Sequence, residues 1–374
     1  MKIVAKRDVF AAALSAAANV VPLRSARPNL KNALLVGHGD GRLEVQATDM
    51  DVGLRYRLLA ESVEDAGSLC IPCIPLSGLL RECSEEVVRL ETEGAKGQLS
   101  VGRDEFEIVG QEASEFPEVP DFHEDDEAQA LKIPAVDLKQ MIDRTIFSAA
   151  KEPGRFAING IFIAFQEKNL EMVATDSRRL ALAKRKIKDK AKWHDEGVIT
   201  PVKMMQEVRR LCEACNATEQ IHLLIRDRTI LVRGGNETLS SQLVEGTFPR
   251  YKQVVPADND KEITFNREAM LAALRKAAFM AGEETRIVQL RFTSGTCDLE
   301  SRSPDKGQAR VKVEVEYDGP ALAVGFNPQY LQDCLKVLAA EKVRLELKNE
   351  SKPVVLREGK DFLYVLMPVN PNEE

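Results

Sequence analysis

The sequence predicts an α+β protein built from three tandem copies of one domain-sized unit. Three observations carry that reading. Asn32-Ala33-Leu34-Leu35 runs through a Gly-Asp-Gly turn into LEVQATDMD, and Asn159-Gly160-Ile161-Phe162 runs through EKN into LEMVATDSRR. The aspartates of the two Thr-Asp pairs, Asp49 and Asp176, lie 127 residues apart; GSLCIP and GVITP set Pro72 and Pro201 129 apart; SEFPEVP and GTFPRYKQVVP set Pro117 and Pro249 132 apart. A fainter third copy reads IVQLRF, CDLESRSPD and LAVGFNP. One third of the 374 residues is about 125, close to every step and a normal domain size. The units are therefore expected at residues 1–125, 126–257 and 258–374.

Each copy repeats the same order of elements. A short strand opens it (KIVA, LKIPA, EITFN) and leads into an amphipathic helix. In the second copy Leu138, Met141, Ile142, Thr145, Ile146 and Ala149 recur at helical spacing. Alternating strands with Gly or Asn turns follow. A second helix comes after the proline, with apolar sets Leu76, Leu79, Leu80, Cys83, then Val208, Leu211, Cys212, Cys215, then Leu331, Cys334, Leu335, Leu338. All three sets follow i, i+3, i+4, i+7, one face of a helix. Strands such as HLLIRDRTILVR and VRLELKNESKPVVLRE close the copies, and EVPDFHEDDEAQA and VVPADNDKE fall where linkers belong.

Composition narrows the function classes. Hydrophobic residues make up 44% and charged residues 30%, with 52 Lys+Arg against 59 Asp+Glu, an ordinary globular balance. No apolar run reaches the ~18 residues a membrane helix needs. MKIVAKRDVF has no apolar signal region, so a cytoplasmic location and reduced thiols for the seven cysteines are expected.

Nothing assembles a catalyst. Cys70-Ile71-Pro72-Cys73 and Cys212-Glu213-Ala214-Cys215 have the C-x-x-C form of a redox pair or zinc knuckle. Cys212, Cys215, Cys83 and Cys334, however, occupy apolar helix stripes, where cysteine serves as a small hydrophobe. Pro75 rather than Cys73 is expected to open the helix, which argues against a redox junction. Asp49-Met50-Asp51 resembles a metal–nucleotide motif, but its counterpart Asp176-Ser177-Arg178 loses the second carboxylate, so a turn role is favoured. His38, His123, His194 and His222 are scattered. No metal site and no cofactor are expected. An enzyme using Cys70/Cys73 or Asp49/Asp51 and a DNA-independent binding scaffold remain the competing classes.

Basic residues are the more informative signal. SRRLALAKRKIKDK, residues 177–190, holds seven Lys/Arg and one Asp. Lys6, Arg7, Arg24 and Arg27 cluster near the start, and Lys139, Arg144, Lys203, Arg209, Arg210, Arg267, Arg275 and Lys276 fall on predicted helices. Acidic residues gather in strands and linkers. A positive helical surface would suit a phosphate backbone without reading sequence.

ATDSRRLALAKRKI, EGTFPRYKQVVP, RFAINGIFIAF, GPALAVGFNPQYLQDCLKVL and YVLMPV resemble, in order and spacing, segments of the bacterial DNA polymerase III beta subunit, the sliding-clamp family. The resemblance covers the whole chain. It implies three DNA-clamp domains, helices lining a ring and sheets outside, closed by a head-to-tail homodimer. It implies no catalysis, but a ring that encircles double-stranded DNA and tethers the replicative polymerase, the clamp loader and other proteins carrying a clamp-binding motif. Carried over by position, the partner-peptide cleft would comprise Ile158, Thr175, Ser177, Arg178, Arg179, Leu180, Pro249, Val254, Val365, Met367, Pro368 and Val369. DNA contacts would fall to Arg27, Lys151 and Arg155, with Lys203 and Arg275 on the helices. The dimer seam would join the edges 102–110 and 304–314, with Phe106 and Ile108 facing Phe279 and Met280. Ser177-Arg178 replaces the family's Gly-His, and Asn370 with the tail PNEE replaces its Arg-Leu ending.

Overall fold

The computed structural model describes residues 1–151, 156–188, 193–194, 196–282 and 286–369, with only the backbone of Glu124 and Phe156. Arg155, the end of the basic run (Asp189, Lys190) and the tail Asn370–Glu374 lie outside the described residues. Among the described residues there are six α-helices: α1 (Arg7–Val20), α2 (Cys73–Glu82), α3 (Ala135–Thr145), α4 (Val202–Ala214), α5 (Arg267–Ala278) and α6 (Pro328–Val337). The anticipated stripes are their buried faces: Leu76 and Leu80 on α2, Leu138, Met141 and Ile142 on α3, Val208, Leu211 and Cys212 on α4, and Leu331, Cys334 and Leu335 on α6. α1 buries Phe10, Ala13, Leu14 and Ala17 at the same spacing and packs on α2, as α5 packs on α6. α6 starts where Asn327 accepts the Gln329 N–H at 3.0 Å and Pro328 supplies a preset φ.

Cys73, not Pro75, opens α2 directly after the strand Gly67–Pro72, so the local geometry is the strand–cysteine–helix junction that sequence reasoning had denied. The redox reading gains nothing from it. Burial pushes the thiols of Cys70 and Cys73 up to about 11 and about 12, leaving both protonated at neutral pH. All seven cysteines are free, and no cluster of three metal-ligating side chains occurs among the described residues.

The chain folds into two compact units whose limits cut through the second sequence repeat. The first is built mainly from Met1–Lys139 and Lys203–Leu243, the second mainly from Gln140–Lys188 and the chain from Val244 onward. The first unit holds a five-stranded antiparallel sheet in the order Ser62–Asp65, Lys2–Lys6, Val87–Glu93, Lys96–Val101, Asp104–Val109. Its eight-stranded sheet joins two repeats, because Glu237–Gln242 of the second pairs with Val52–Leu59 of the first. The second unit holds a twelve-stranded sheet joined the same way, Arg179–Lys186 of the second repeat pairing with Phe362–Leu366 of the third. Each unit therefore contains one inter-repeat strand pair.

The expected seam edges are strands. Among the described residues Asp104–Val109 pairs only with Lys96–Val101, and Gly307–Glu316 pairs through residues 307–314 with Thr296–Ser303 and through Val315 and Glu316 with Lys261–Asn266. Phe279 is 76% exposed at the end of α5 and Met280 lies beside it, whereas Ile108 is buried in its own sheet and is not available as a surface anchor.

Candidate functional site

The two inter-repeat strand pairs begin with the same turn. In the first unit Asp49 Oδ1 accepts the N–H groups of Asp51 (3.1 Å) and Val52 (2.9 Å), while Thr48 Oγ1 donates to the Val52 carbonyl at 2.9 Å. In the second, Asp176 Oδ1 accepts from Arg178 and Arg179 (3.0 Å each), and Thr175 Oγ1 donates to the Arg179 carbonyl at 2.7 Å. Met50 and Ser177 both hold positive φ, 82° and 75°. The Thr-Asp pairs are thus turn formers, as Asp and Thr side chains closing their own backbone commonly are. The Asp49 carboxylate also pairs with Lys203.

What lies past the turn differs. In the first unit Gly53 stands opposite Ser240, and Val119 from the linker is packed over both: a Cβ on Gly53 would sit 2.7 Å from Val119 Cγ1 and 2.6 Å from Ser240 Oγ. Four arginines pin this linker. Arg55 Nε donates to the Val119 carbonyl at 2.8 Å, Arg57 pairs with Asp121, Arg226 with Asp126 at 2.8 Å, and Arg233 covers the Phe122 ring at 4.3 Å. The first seam is closed by the chain itself.

In the second unit the matching pair is Leu180 opposite Val365. These two side chains share an apolar cluster with Ile158, Val173, Ile199, Val355 and Leu363, to which the linker adds Phe248 and Tyr251. Phe248 stacks on Phe162 at 5.0 Å, and Tyr251 Oη donates to Glu171 at 2.7 Å. Burial pushes the Tyr251 hydroxyl well above the ordinary tyrosine value, and Glu171 pushes it further. Beside this floor Val254 is 46% and Met367 39% exposed, and Ser177, Arg178 and Pro249 are exposed as well. The Met367 N–H donates to the Arg178 carbonyl and the Val369 N–H to the Gly325 carbonyl, both at 2.9 Å, so the segment 367–369 is fixed at one end to the turn and at the other to the strand Leu322–Phe326. Gly325 permits the approach: a Cβ there would lie 2.5 Å from the Val369 carbonyl oxygen.

Ile158, Leu180 and Val365 therefore meet in one floor, with Ser177, Arg178 and Met367 beside it. Thr175 is committed to its turn. Arg179 departs from expectation, because its side chain lies on the opposite face of the strand from Leu180, among Asp176, Asp333, Phe147 and Tyr330. Sequence reasoning missed Phe248 and Tyr251, although both stood in the quoted linker; its aromatic pair was the available signal.

The expected DNA contacts are less alike than the sequence suggests. Arg27, Lys151 and Arg275 are exposed. Lys203 is paired with Asp49, and burial draws its pKa below the ordinary lysine value. The basic run is not one surface either. Arg179 is buried, Lys184 pairs with Glu171 at 3.1 Å and Arg185 with Asp361 at 3.6 Å, while Arg178, Lys186 and Lys188 are exposed. Strand alternation divides the run between two faces.

Three family models match in order: the N-terminal, central and C-terminal domains of the DNA polymerase III beta subunit, at residues 1–120, 132–250 and 252–370. The chain belongs to the DNA polymerase III beta subunit family. Its clamp relatives include the beta sliding clamp of Caulobacter vibrioides, 31% identical over 378 residues (99% of this chain, 100% of the relative), and that of Pseudomonas aeruginosa, 30% identical over 370 (97% and 98%). A crystal structure of the Pseudomonas aeruginosa DNA polymerase sliding clamp with ligand superimposes with a TM-score of 0.92 at 28% identity, covering 99% of this chain and 100% of that one. A second, of the same species' clamp bound to griselimycin, also gives 0.92 at 28%, covering 99% of each chain. The beta sliding clamps are processivity factors, and three sheet-rich clamp domains with six helices are the fold described above.

Proposed function

We propose that the chain is a DNA sliding clamp that encircles duplex DNA without reading its sequence and tethers the replicative polymerase through the groove over Leu180 and Val365. The in-order match of all three clamp domains across residues 1–370 carries the DNA part of this reading. The groove is supported by one contrast: of two seams built alike, Val119 fills the first, while the second keeps an apolar floor with half-exposed Met367 and Val254 at its side. A linear peptide with apolar anchors needs such a floor and a few polar rims. Arg27, Lys151 and Arg275 would touch phosphates weakly. The ring would be a homodimer in which the edge Asp104–Val109 of one copy meets residues 307–314 of the other, two stretches that lack a strand partner on one side.

Retention on DNA of different topology tests the main claim. Purified protein, loaded onto nicked circular DNA, should stay bound in salt that strips it from the same DNA once linearised. Equal retention on both forms would overturn the clamp reading. For the groove, griselimycin serves as the probe, since a related clamp binds it. The chain should bind it, and Met367→Ala should weaken that binding.

A further inference from the structure

Arg179 is the most heavily engaged charged side chain near the groove, yet it faces away from it. Its side chain is 7% exposed. Nε donates to Asp176 Oδ2 at 3.0 Å, Nη1 to Asp333 Oδ2 at 2.9 Å and Nη2 to the Phe147 carbonyl at 2.6 Å. The Tyr330 ring lies 4.2 Å from its central carbon, and the Phe147 ring 5.5 Å. Burial opposes the charge, but Tyr364 and the carboxylates of Asp333 and Asp176 more than offset it and hold the pKa above the ordinary arginine value. Asp176 and Phe147 belong to the second repeat; Asp333 and Tyr330 stand on α6 of the third.

We propose that Arg179 is a positioning residue of the groove: it fastens the Thr175–Arg179 turn of the second repeat to α6 of the third, and so holds the seam open in its binding form. This rests on the groove reading given above. The turn needs an external tie, because Ser177 sits at φ 75°, where a side chain is strained and glycine is not. The position of the turn also sets the rim, since the Arg178 carbonyl holds the Met367 N–H. A planar guanidinium with five donors can serve a carboxylate on the turn, a carboxylate on a helix and a carbonyl together, which an ammonium cannot. The first unit places its buried arginine differently. Arg210, on α4, pairs with Glu207 and Glu237, all within the second repeat, and there the seam is closed by Val119 instead. At the first seam the turn is tied to α4 by the Asp49–Lys203 ion pair, an ammonium on the helix where the second seam has a guanidinium on the turn.

A double-mutant cycle tests the proposal, with griselimycin as the probe and association and dissociation rates measured separately. Asp333→Asn alters a side chain turned toward Arg179, so weaker binding in that variant reports the tie. Arg179→Gln should weaken binding about tenfold and Asp333→Asn several-fold, both mainly through slower association, as expected when fewer molecules hold the competent form. The double variant should bind no more weakly than Arg179→Gln alone. Arg179→Lys should recover only part of the loss. Normal binding by Asp333→Asn beside weak binding and faster dissociation in Arg179→Gln would overturn the proposal, because Arg179 would then contact the ligand directly. Lower urea midpoints with unchanged affinity of the folded protein would overturn it as well, leaving Arg179 a purely structural residue. Absence of binding by the unaltered chain would instead remove the groove reading itself.

Discussion

Val119 lies in the space a side chain on Gly53 would take, 2.7 Å from where its Cβ would stand. Gly53 is the repeat counterpart of Leu180, and Ser240 that of Val365. Two small residues in one seam admit the chain's own linker, and two apolar ones in the other build a floor. One substitution per strand thus separates a closed seam from an open one within the same turn-and-strand framework.

Gly53→Leu, which installs the second seam's residue in the first, should force Val119 off the sheet. Overpacking of this kind costs about 1–3 kcal/mol. The urea midpoint should fall by the corresponding amount, and proteolysis should quicken in the linker at residues 116–122. An unchanged midpoint would mean the linker shifts without loss.

Met367 and Leu180 should separate binding from stability. Met367 is half-exposed, so Met367→Ala should weaken griselimycin binding by about 1–3 kcal/mol with little change in unfolding. Leu180 is 3% exposed in the cluster, so Leu180→Ala should lose about 2–5 kcal/mol of stability besides affinity. Isothermal titration paired with denaturant unfolding measures both. Equal behaviour of the two variants would contradict the assignment of floor and rim.

Among the basic residues, Arg27→Ala should lower the slope of log affinity against log salt for DNA by about one, the effect of one lost phosphate contact. Lys203→Ala should change it far less, because the Lys203 ammonium already serves Asp49. Fluorescence anisotropy across a salt series reads both slopes. A larger change for Lys203 would show that DNA displaces Asp49.

For the dimer, Phe279→Ala and Phe106→Ala should promote dissociation in sedimentation velocity, since Phe279 is exposed and Phe106, partly buried, stands on the edge strand Asp104–Val109. Charge reversal at Arg310 should do less than a simple edge-to-edge complementarity suggests, as Arg310 is held by Asp298 at 2.9 Å and Glu300 at 3.4 Å within its own sheet. A dimer indifferent to both aromatic changes would place the seam elsewhere.

Much of this was written in one dimension. Repetition at near-constant spacing set the order of elements, and the helical stripes gave the buried faces of α2, α4 and α6, because amphipathic periodicity depends only on local geometry. The Asp49 and Asp176 turns were legible for the same reason: their hydrogen bonds join residues at most four apart. Long-range pairing was not legible. Only the folded sheets show that strands of consecutive repeats join, that Val119 fills one seam, that Phe248 and Tyr251 complete the floor of the other, and that Arg179 turns from the groove toward Asp333. The start of α2 at Cys73 escaped too, since a proline within the first turn is compatible with a helix that begins before it. Spacing along a strand says which residues share a face, but the partner across that face is chosen by packing between segments far apart in the chain, where no periodicity reaches.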